Sequence, residues 1–318
     1  MNDMTYEQAA QWLLERDQFL ILTHLRPDGD TIGCAAGLCQ ALREQGKTAY
    51  VLENADATSL LTPHLEGLTA PQDFSPAFVV AVDLAARSLF PKNAQSYLER
   101  VDLTIDHHPS QEFYAQNTCL DAKRAACGEL IYDIVRQWGP LSQRTALPLY
   151  VALATDCGCF VYSNTNASAH RVAAALMETG IDVYPINRLH FRSKSLKRLK
   201  LEGQLTAGME LRDNGETALV FLTRAMIDAI GADERDMDNI SAFVGQIEGV
   251  KNGVTLKETV DGQIKISVRT DPGDLNASKV CALLGGGGHA AAAGAAFYAT
   301  MDEARQRVLD AIQAVRNG

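Results

Sequence analysis

The chain lacks any long run of lysine and arginine, and its formal net charge is −10. A protein that holds long nucleic acid through many phosphates needs a basic stripe on its surface. The one basic cluster, residues 188–200, is short. We therefore expect no binding of long duplex nucleic acid, and any nucleic-acid substrate should be short and held at its reacting phosphate.

Long apolar runs are also absent, since no window approaches the 18 consecutive apolar residues expected of a membrane-spanning helix. Residues 1–11 are polar and acidic and lack the basic and then apolar pattern of a signal peptide. The seven cysteines are odd in number and scattered, which argues against a disulfide framework. We expect a reducing, cytoplasmic setting without membrane contact.

The first half of the chain alternates strand and helix patterns. Strands are predicted at 19–23, 49–52, 77–82 and 101–105, and helices at 32–45, 127–138, 144–153 and 167–178. Asn164 is predicted to cap the helix that starts near residue 167. This order predicts an α/β unit, an open parallel sheet with helices on both faces.

The pattern changes near Pro185, and 318 residues are enough for two domains. A connecting helix is predicted at 195–205, followed by strands at 217–222, 253–260 and 263–270 and helices at 224–230, 276–284 and 301–315. We interpret residues 1–185 as one domain, 186–212 as a connecting helix and linker, and 213–318 as a smaller α+β domain across a cleft.

Acidic residues and histidines follow three of the first-half strands. They lie in His24-Leu25-Arg26-Pro27-Asp28-Gly29-Asp30, at Asp83, and in Asp106-His107-His108, while Asp156 follows the apolar stretch 147–153. In open parallel sheets, ligands bind beyond the carboxyl ends of the strands. These side chains should therefore converge, and they form a ligand set for manganese, iron(II), zinc or magnesium.

The size of this set indicates two cations, because a single metal takes three or four protein ligands. Six side chains with one carboxylate bridging suit a pair of metals, and the carboxylates would repel one another without cations. The candidate ligands are His24, Asp28, Asp30, Asp83, His107 and Asp156. Taken alone, Asp28-Gly29-Asp30 could also be a simple turn.

Together, these strings resemble the four signature motifs of the DHH phosphoesterases. The string Gly285-Gly286-Gly287-Gly288-His289, followed by Ala292-Ala293-Gly294, resembles the glycine motif of the C-terminal domain in one DHH subfamily. The resemblance covers nearly the whole chain, and the two-domain layout is similar to the standalone nanoRNase and pAp-phosphatase type. A glycine run can also be a plain flexible loop.

The resemblance implies two divalent cations, with Mn²⁺ the expected metal. It assigns His24, Asp28 and Asp83 to the first cation, which makes residues 1–185 the catalytic domain. The second cation is assigned to Asp30, Asp83, His107 and Asp156, so that Asp83 bridges the pair. Iron(II) and cobalt share these ligands, so the sequence does not fix the native metal.

The resemblance also implies catalytic and substrate contacts. Asp106 would orient the neighbouring imidazoles, and His108 would face the substrate and protonate the leaving oxygen. Substrate contacts from the C-terminal domain would come from Arg269, His289 and the backbone N–H groups of Gly286, Gly287 and Gly288. Arg87, four residues after Asp83, is either a further substrate contact or a solvated helix residue.

The implied function is hydrolysis of short oligoribonucleotides, of 3′-phosphoadenosine 5′-phosphate, or of both. Two alternatives stay open. One is a phosphodiesterase for a linear or cyclic dinucleotide, and the other is a nucleotide-sensing module without turnover. A homodimer is an expectation from the resemblance alone, and substrate length and polarity of cleavage are not readable from the sequence.

Overall fold

The computed structural model describes residues 2–237, 240–271 and 273–317. The chain divides between Ser193 and Lys194 into two compact units. The predicted connecting helix belongs to the second unit. The predicted domain limits at 185 and 212 stay predictions.

The N-terminal unit contains a six-stranded sheet in which every strand pair is parallel, as predicted. Its strands are β1 (Asn2–Asp3), β2 (Phe19–Leu22), β3 (Ala49–Val51), β4 (Phe78–Val82), β5 (Leu103–Asp106) and β6 (Asn117–Leu120). Their order across the sheet is β1-β6-β5-β4-β2-β3. The sequence did not predict β1 and β6, which are short and have few apolar residues.

The two faces of this sheet are covered differently. Alternate residues such as Ile21 and Val80 contact the core formed with the α-helices. Those helices are α1 (Tyr6–Leu14), α2 (Gly29–Glu44), α3 (Cys127–Val135), α4 (Gln143–Asp156), α5 (Ala167–Glu178) and α6 (Val183–Asn187). Leu20 and Val79 contact a second core beneath the 3-10 segment Lys92–Arg100. Helical segments therefore cover both faces, as predicted.

Helices α2 and α4 approach each other closely through glycine. A Cβ atom on Gly29 would lie 2.3 Å from Thr155 Oγ1, and one on Gly33 would lie 2.4 Å from the carbonyl oxygen of Pro148. The start of α2 therefore lies beside the end of α4. This antiparallel contact brings the acidic residues at the start of α2 close to Asp156.

The C-terminal unit contains a mixed six-stranded sheet in the order β11-β12-β10-β9-β8-β7, with β8 and β9 parallel and the other pairs antiparallel. Its strands are β7 (Glu210–Arg212), β8 (Thr217–Leu222), β9 (Asn252–Glu258), β10 (Gln263–Thr270), β11 (Gly287–Gly288) and β12 (Ala292–Tyr298). Its helices are α7 (Leu196–Ala207), α8 (Arg224–Ile230), α9 (Glu234–Met237), α10 (Ala277–Leu283) and α11 (Met301–Asn317). The predicted α+β architecture of this half is confirmed. Within the described ranges, no helix combines the length and apolar surface needed to cross a bilayer.

Candidate metal centre

Four carboxylates and three imidazoles converge at the carboxyl edge of the parallel sheet. In each of three overlapping groups, one possible ligand atom from each member lies within 4.8 Å of the others. The groups are His24 with Asp28 and Asp83, Asp30 with His107 and Asp156, and Asp83 with His107 and His108. All six predicted metal ligands therefore come together, and Asp83 belongs to two of the groups.

The first group is built at the end of β2 and the start of α2. His24 Nε2 lies 3.6 Å from Asp28 Oδ1 and 3.7 Å from Asp83 Oδ2. The other ring nitrogen, Nδ1, lies 2.9 Å from the carbonyl oxygen of Leu25, which fixes the ring and leaves Nε2 for a cation. Asp28 caps α2 by accepting the N–H groups of Asp30 and Thr31.

The second group joins the first turn of α2, the end of β5 and the last turn of α4. His107 Nε2 lies 3.7 Å from Asp30 Oδ2 and 3.8 Å from Asp156 Oδ2. His107 Nδ1 lies 3.1 Å from the carbonyl oxygen of Arg124, an interaction that holds the ring with Nε2 toward the carboxylates. Both groups therefore present a histidine nitrogen and carboxylate oxygens to one small volume.

Asp83 provides the test of whether a cation fits here. Its side chain is buried, and its Oδ1 accepts no hydrogen bond within the described part of the chain. That oxygen lies 3.5 Å from His107 Nε2 and 3.5 Å from His108 Nδ1. A buried carboxylate oxygen without a donor is costly unless a cation compensates it, so the residues present fit a bound metal.

The backbone at Asp83 is strained as well. Its φ is +53°, in the left-handed region that non-glycine residues rarely adopt. Its N–H donates to the carbonyl oxygen of Ile105 on the neighbouring strand β5, so the sheet holds the residue in place. Strain of this kind is concentrated at functional sites.

Burial and mutual repulsion disfavour the charged carboxylates. Burial, with Asp156 and Asp28 adding repulsion, raises the pKa of Asp30 well above its ordinary value. Burial and the neighbouring Asp30 do the same to the pKa of Asp83. Burial raises the pKa of Asp156 to about 6, with Asp28 adding to the shift and His107 opposing it. This cluster favours the binding of protons or of cations.

Asp106 orients only one of the two adjacent imidazole rings. Its Oδ1 lies 2.8 Å from His108 Nδ1 and also accepts the backbone N–H groups of His107 and His108. Its Oδ2 accepts a hydrogen bond from Gln111 at 2.6 Å. The ring of His107 is held by Arg124 instead, so the predicted role of Asp106 applies to the ring of His108.

Sequence reasoning missed several residues that support the centre. The first N–H groups of α3, from Cys127 and Gly128, donate to Asp30 at 2.7 and 3.0 Å. A helix start favours a carboxylate, because its first N–H groups lack partners and the helix dipole is positive there. The predicted start of this helix at Cys127 was the signal that could have identified this contact.

The prediction that Asn164 caps α5 is wrong. The cap is Asn166, whose Oδ1 accepts the N–H groups of Ser168 and Ala169. Asn164 instead donates through Nδ2 to the carbonyl oxygens of Ala125 and Asp156, at 3.0 and 3.1 Å. Two asparagines lie two residues apart, and capping preference alone could not distinguish between them.

The predicted substrate residues lie outside these groups. Arg87 forms an ion pair with Glu99 at 2.6 Å. In the C-terminal unit, Arg269 lies on β10, and His289 lies in the exposed turn between β11 and β12. Their contacts with a substrate stay predictions.

The glycine motif has a packing role of its own. A Cβ atom on Gly286 would lie 2.1 Å from the carbonyl oxygen of Gly294, so only glycine allows this close approach to β12. The N–H of Gly286 donates to the carbonyl oxygen of Cys281 at 2.8 Å, at the end of α10. Gly287 and Gly288 form β11 and pair with β12. The predicted phosphate contacts of Gly286, Gly287 and Gly288 stay predictions.

Comparison with known proteins gives consistent matches over both units. Residues 18–182 match the DHH family, N-terminal domain, and residues 220–317 match the DHHA1 domain. The chain is 31% identical over 298 residues to the bifunctional oligoribonuclease and PAP phosphatase NrnA of Thermus thermophilus, covering 92% of this chain and 88% of that protein. The protein of the same name from Bacillus subtilis is 26% identical over 305 residues, covering 92% and 93%.

A solved structure has the same architecture. It is an exopolyphosphatase-related protein from Bacteroides fragilis, which superposes with a TM-score of 0.87 at 26% identity and covers 97% of this chain and 96% of that one. The fold similarity therefore extends over both units.

Proposed function

Because the chain belongs to the DHH family, we propose that it is a metal-dependent phosphoesterase that hydrolyses short oligoribonucleotides and 3′-phosphoadenosine 5′-phosphate. The names of its relatives from Thermus thermophilus and Bacillus subtilis support this substrate class. The single observation that carries the proposal is the buried Asp83. Its carboxylate lies between His24 and His107, and its Oδ1 accepts no hydrogen bond from any residue that the structure describes.

We propose that the centre holds two divalent cations, with manganese as the metal. His24 and Asp28 would hold one cation, and Asp30, His107 and Asp156 the other, with Asp83 shared between them. Two bound cations supply a nucleophilic water of lowered pKa and offset charge on the transferring phosphoryl group. The histidine and carboxylate donor set and the raised pKa values of Asp30, Asp83 and Asp156 support this assignment.

His108 is the proposed general acid. Its side chain is about one-third exposed, so a substrate can reach it. Asp106 accepts a hydrogen bond from the Nδ1–H group of His108 and fixes the ring, so that Nε2 is the nitrogen left to protonate the leaving oxygen. Asp106 is in turn held by Gln111, and this chain of hydrogen bonds limits rotation of the imidazole.

The substrate is proposed to be short. With a net charge of −10, the protein gains little from long-range attraction to a polyanion, so affinity must come from contacts near the reacting phosphate. Arg269, His289 and the segment Gly286 to Gly288 are proposed to contribute such contacts from the C-terminal unit. Arg87 is a weaker candidate because Glu99 already pairs with its guanidinium.

The test is turnover with added Mn²⁺ on a panel of phosphate compounds. The panel contains a short oligoribonucleotide, 3′-phosphoadenosine 5′-phosphate, a linear diadenylate, a cyclic diadenylate and pyrophosphate. His107→Ala serves as the control variant, since the ring contacts both carboxylates of the second group. We expect mononucleotides from the oligoribonucleotide and AMP from the bisphosphate, with turnover lowered by orders of magnitude in the variant.

Other outcomes separate the alternatives. Preference for a diadenylate would indicate a dinucleotide phosphodiesterase. Binding of a nucleotide that is recovered unchanged after long incubation would indicate a sensing module. Wild-type turnover by His107→Ala would refute the ligand assignment. The predicted homodimer is tested separately by the molar mass in solution.

A further inference from the structure

The segment directly after Asp156 has an unusual backbone. Gly158, Cys159 and Phe160 all have positive φ, at +54°, +53° and +68°. Two of the three carry side chains, and a bulky side chain disfavours this region because its Cβ crowds the backbone. Such strain is concentrated at functional sites, and this run begins two residues after the proposed metal ligand Asp156.

Several contacts hold this segment in its strained form. Phe160 stacks on His170, with ring centroids 5.0 Å apart and planes inclined by 24°. The N–H groups of Val161 and Tyr162 both donate to the carbonyl oxygen of Cys157, at 3.0 and 3.1 Å. The segment is therefore fixed over the end of α4.

The consequence of this conformation is that two apolar side chains point outward. Val161 is 82% exposed and Tyr162 is 50% exposed. The Tyr162 ring rests on Gly158, where a Cβ atom would lie 2.4 Å from the ring carbon Cζ. Gly158 lies two residues beyond Asp156 in the chain. Asn164, two residues beyond Tyr162, donates through Nδ2 to the carbonyl oxygen of Asp156 at 3.1 Å, so the loop that carries the ring is anchored at this proposed ligand. Within the described residues, the Tyr162 hydroxyl forms no hydrogen bond. A polar contact therefore does not explain why this side chain is exposed.

We propose that Tyr162 is a stacking platform for a nucleobase of the substrate, and this rests on the proposed function. An exposed, rigid aromatic ring offers a face to any base, and such stacking tolerates different base sequences. In a nucleotide, only the sugar separates the base from the phosphate, which suits a ring a few residues from Asp156. An enzyme for short oligoribonucleotides needs this sequence tolerance, because it must accept every base.

The experiment compares one substrate with and without its base. Tyr162→Ala, Tyr162→Phe and Tyr162→Trp are assayed on 3′-phosphoadenosine 5′-phosphate and on the matching sugar bisphosphate that lacks adenine. Tyr184→Ala is the matched control, since Tyr184 is an exposed tyrosine on α6 at 62% exposure. A second measurement is the affinity for AMP by calorimetry, which needs no turnover.

We expect Tyr162→Ala to raise KM for the adenine substrate and to weaken AMP binding, each by about tenfold or more. The KM for the base-free compound, and kcat on both, should stay at the wild-type values. The phenylalanine and tryptophan variants should keep the wild-type KM, because they retain the ring. Tyr184→Ala should match the wild type throughout.

Two results would overturn the proposal. One is an unchanged KM and AMP affinity in Tyr162→Ala, and the other is an equal change on the substrates with and without adenine. If the wild type hydrolyses neither bisphosphate, the proposed function fails on this substrate, and AMP affinity alone still decides whether Tyr162 stacks on a base.

Discussion

Two buried acidic clusters lie within the N-terminal unit, and they differ in what balances their charge. At the metal centre, Asp30, Asp83 and Asp156 have histidines as neighbours, and burial and mutual repulsion raise their pKa values. In the second cluster, Glu129 and Asp133 share the guanidinium of Arg124. The second cluster therefore carries its own permanent cation.

The Arg124 cluster is satisfied by close contacts. Arg124 Nη1 lies 3.1 Å from Glu129, Nη2 lies 2.5 Å from Asp133, and Nε lies 3.3 Å from Asp121. Glu129 also accepts hydrogen bonds from the Ala125 N–H and the Ser168 hydroxyl. These contacts hold together the segment of residues 121–133.

The comparison separates a structural role for buried carboxylates from a proposed functional one. Acids that pair with an arginine of the same chain stabilise the fold. Buried acids without such a partner must take up a proton to lose their charge, and they are therefore suited to binding an external cation. The two clusters are nevertheless coupled, because the carbonyl oxygen of Arg124 contacts the ring of His107. The Arg124 cluster thus holds the ring of His107, a proposed ligand of the metal centre.

The largest expected effect comes from exchanging one carboxylate in each cluster. Asp83→Asn removes the carboxylate proposed to bridge the two cations. It keeps the side-chain size and the tolerance of positive φ, so we expect hydrolysis to fall by about 1,000-fold or more. The metal-free protein should unfold at a slightly higher temperature, since the variant removes a buried group whose charge is disfavoured. Activity assays and thermal unfolding in EDTA measure both.

Asp133→Asn is the matched exchange in the Arg124 cluster. It weakens hydrogen bonds to Arg124 and Arg136, so unfolding free energy should fall by about 1.5–3 kcal/mol while activity stays within about threefold of the wild type. If both exchanges gave the same signature, the distinction between the two clusters would be wrong.

A smaller effect on the metal centre tests the coupling between the two clusters. Arg124→Gln leaves Glu129 buried without its cation and Asp133 with Arg136 as its remaining partner, so we expect a loss of about 3–5 kcal/mol in unfolding free energy. Displacement of its carbonyl oxygen should loosen His107 and weaken Mn²⁺ binding by about 10- to 100-fold. Denaturant unfolding and a Mn²⁺ titration measure these changes.

Arg136→Gln is the control for that variant. Arg136 is half-exposed and contacts Asp133 alone among the acids of the cluster. Its replacement should therefore lower the free energy of unfolding by less than about 1 kcal/mol. A normal Mn²⁺ affinity in folded Arg124→Gln would show that the carbonyl contact with His107 has no influence on the metal centre.

The parallel sheet and the convergence of the six candidate ligands were predictable because local patterns decide them. Apolar runs such as β2 and β4 are followed within two residues by a histidine or an aspartate, and parallel topology brings those ends to one edge. Most predicted helices and strands have ends within about three residues of those in the structure.

Features that depend on tertiary contacts were not predictable. The contact between the Arg124 carbonyl oxygen and the His107 ring joins residues 17 positions apart. It is made by the backbone of Arg124, so the identity of that side chain does not reveal it. Aspartate tolerates the left-handed region better than most residues, but the hydrogen bond to β5 that accompanies this backbone at Asp83 is a tertiary contact that the sequence does not reveal. Strand β12 was missed because its alanines are poor strand formers, and neighbouring β10 and β11 supply the pairing instead.

The smallest expected effect is a difference in pH dependence between the clusters. The folded-state pKa of Asp156 is raised to about 6, so its contribution to metal-free stability is present below the ordinary aspartate pKa and is lost as the pH rises through 6. A cation needs the deprotonated carboxylate, so Mn²⁺ should stabilise the protein more at pH 8 than at pH 5. The gain in Tm on adding Mn²⁺ should therefore increase across this range, by about 2–4 °C per kcal/mol of added stability.

Each cluster supplies a control for this measurement. Asp156→Asn should reduce the pH dependence of the Mn²⁺ effect, because one of the titrating ligands is gone. Asp133→Asn should lower Tm by a similar amount with and without Mn²⁺ and leave the pH dependence of the Mn²⁺ effect intact, since Asp133 is balanced by arginine. A Mn²⁺ effect that is equal at pH 5 and pH 8 would mean that the buried carboxylates release no protons when the metal binds, and the contrast between the two clusters would then have no electrostatic basis.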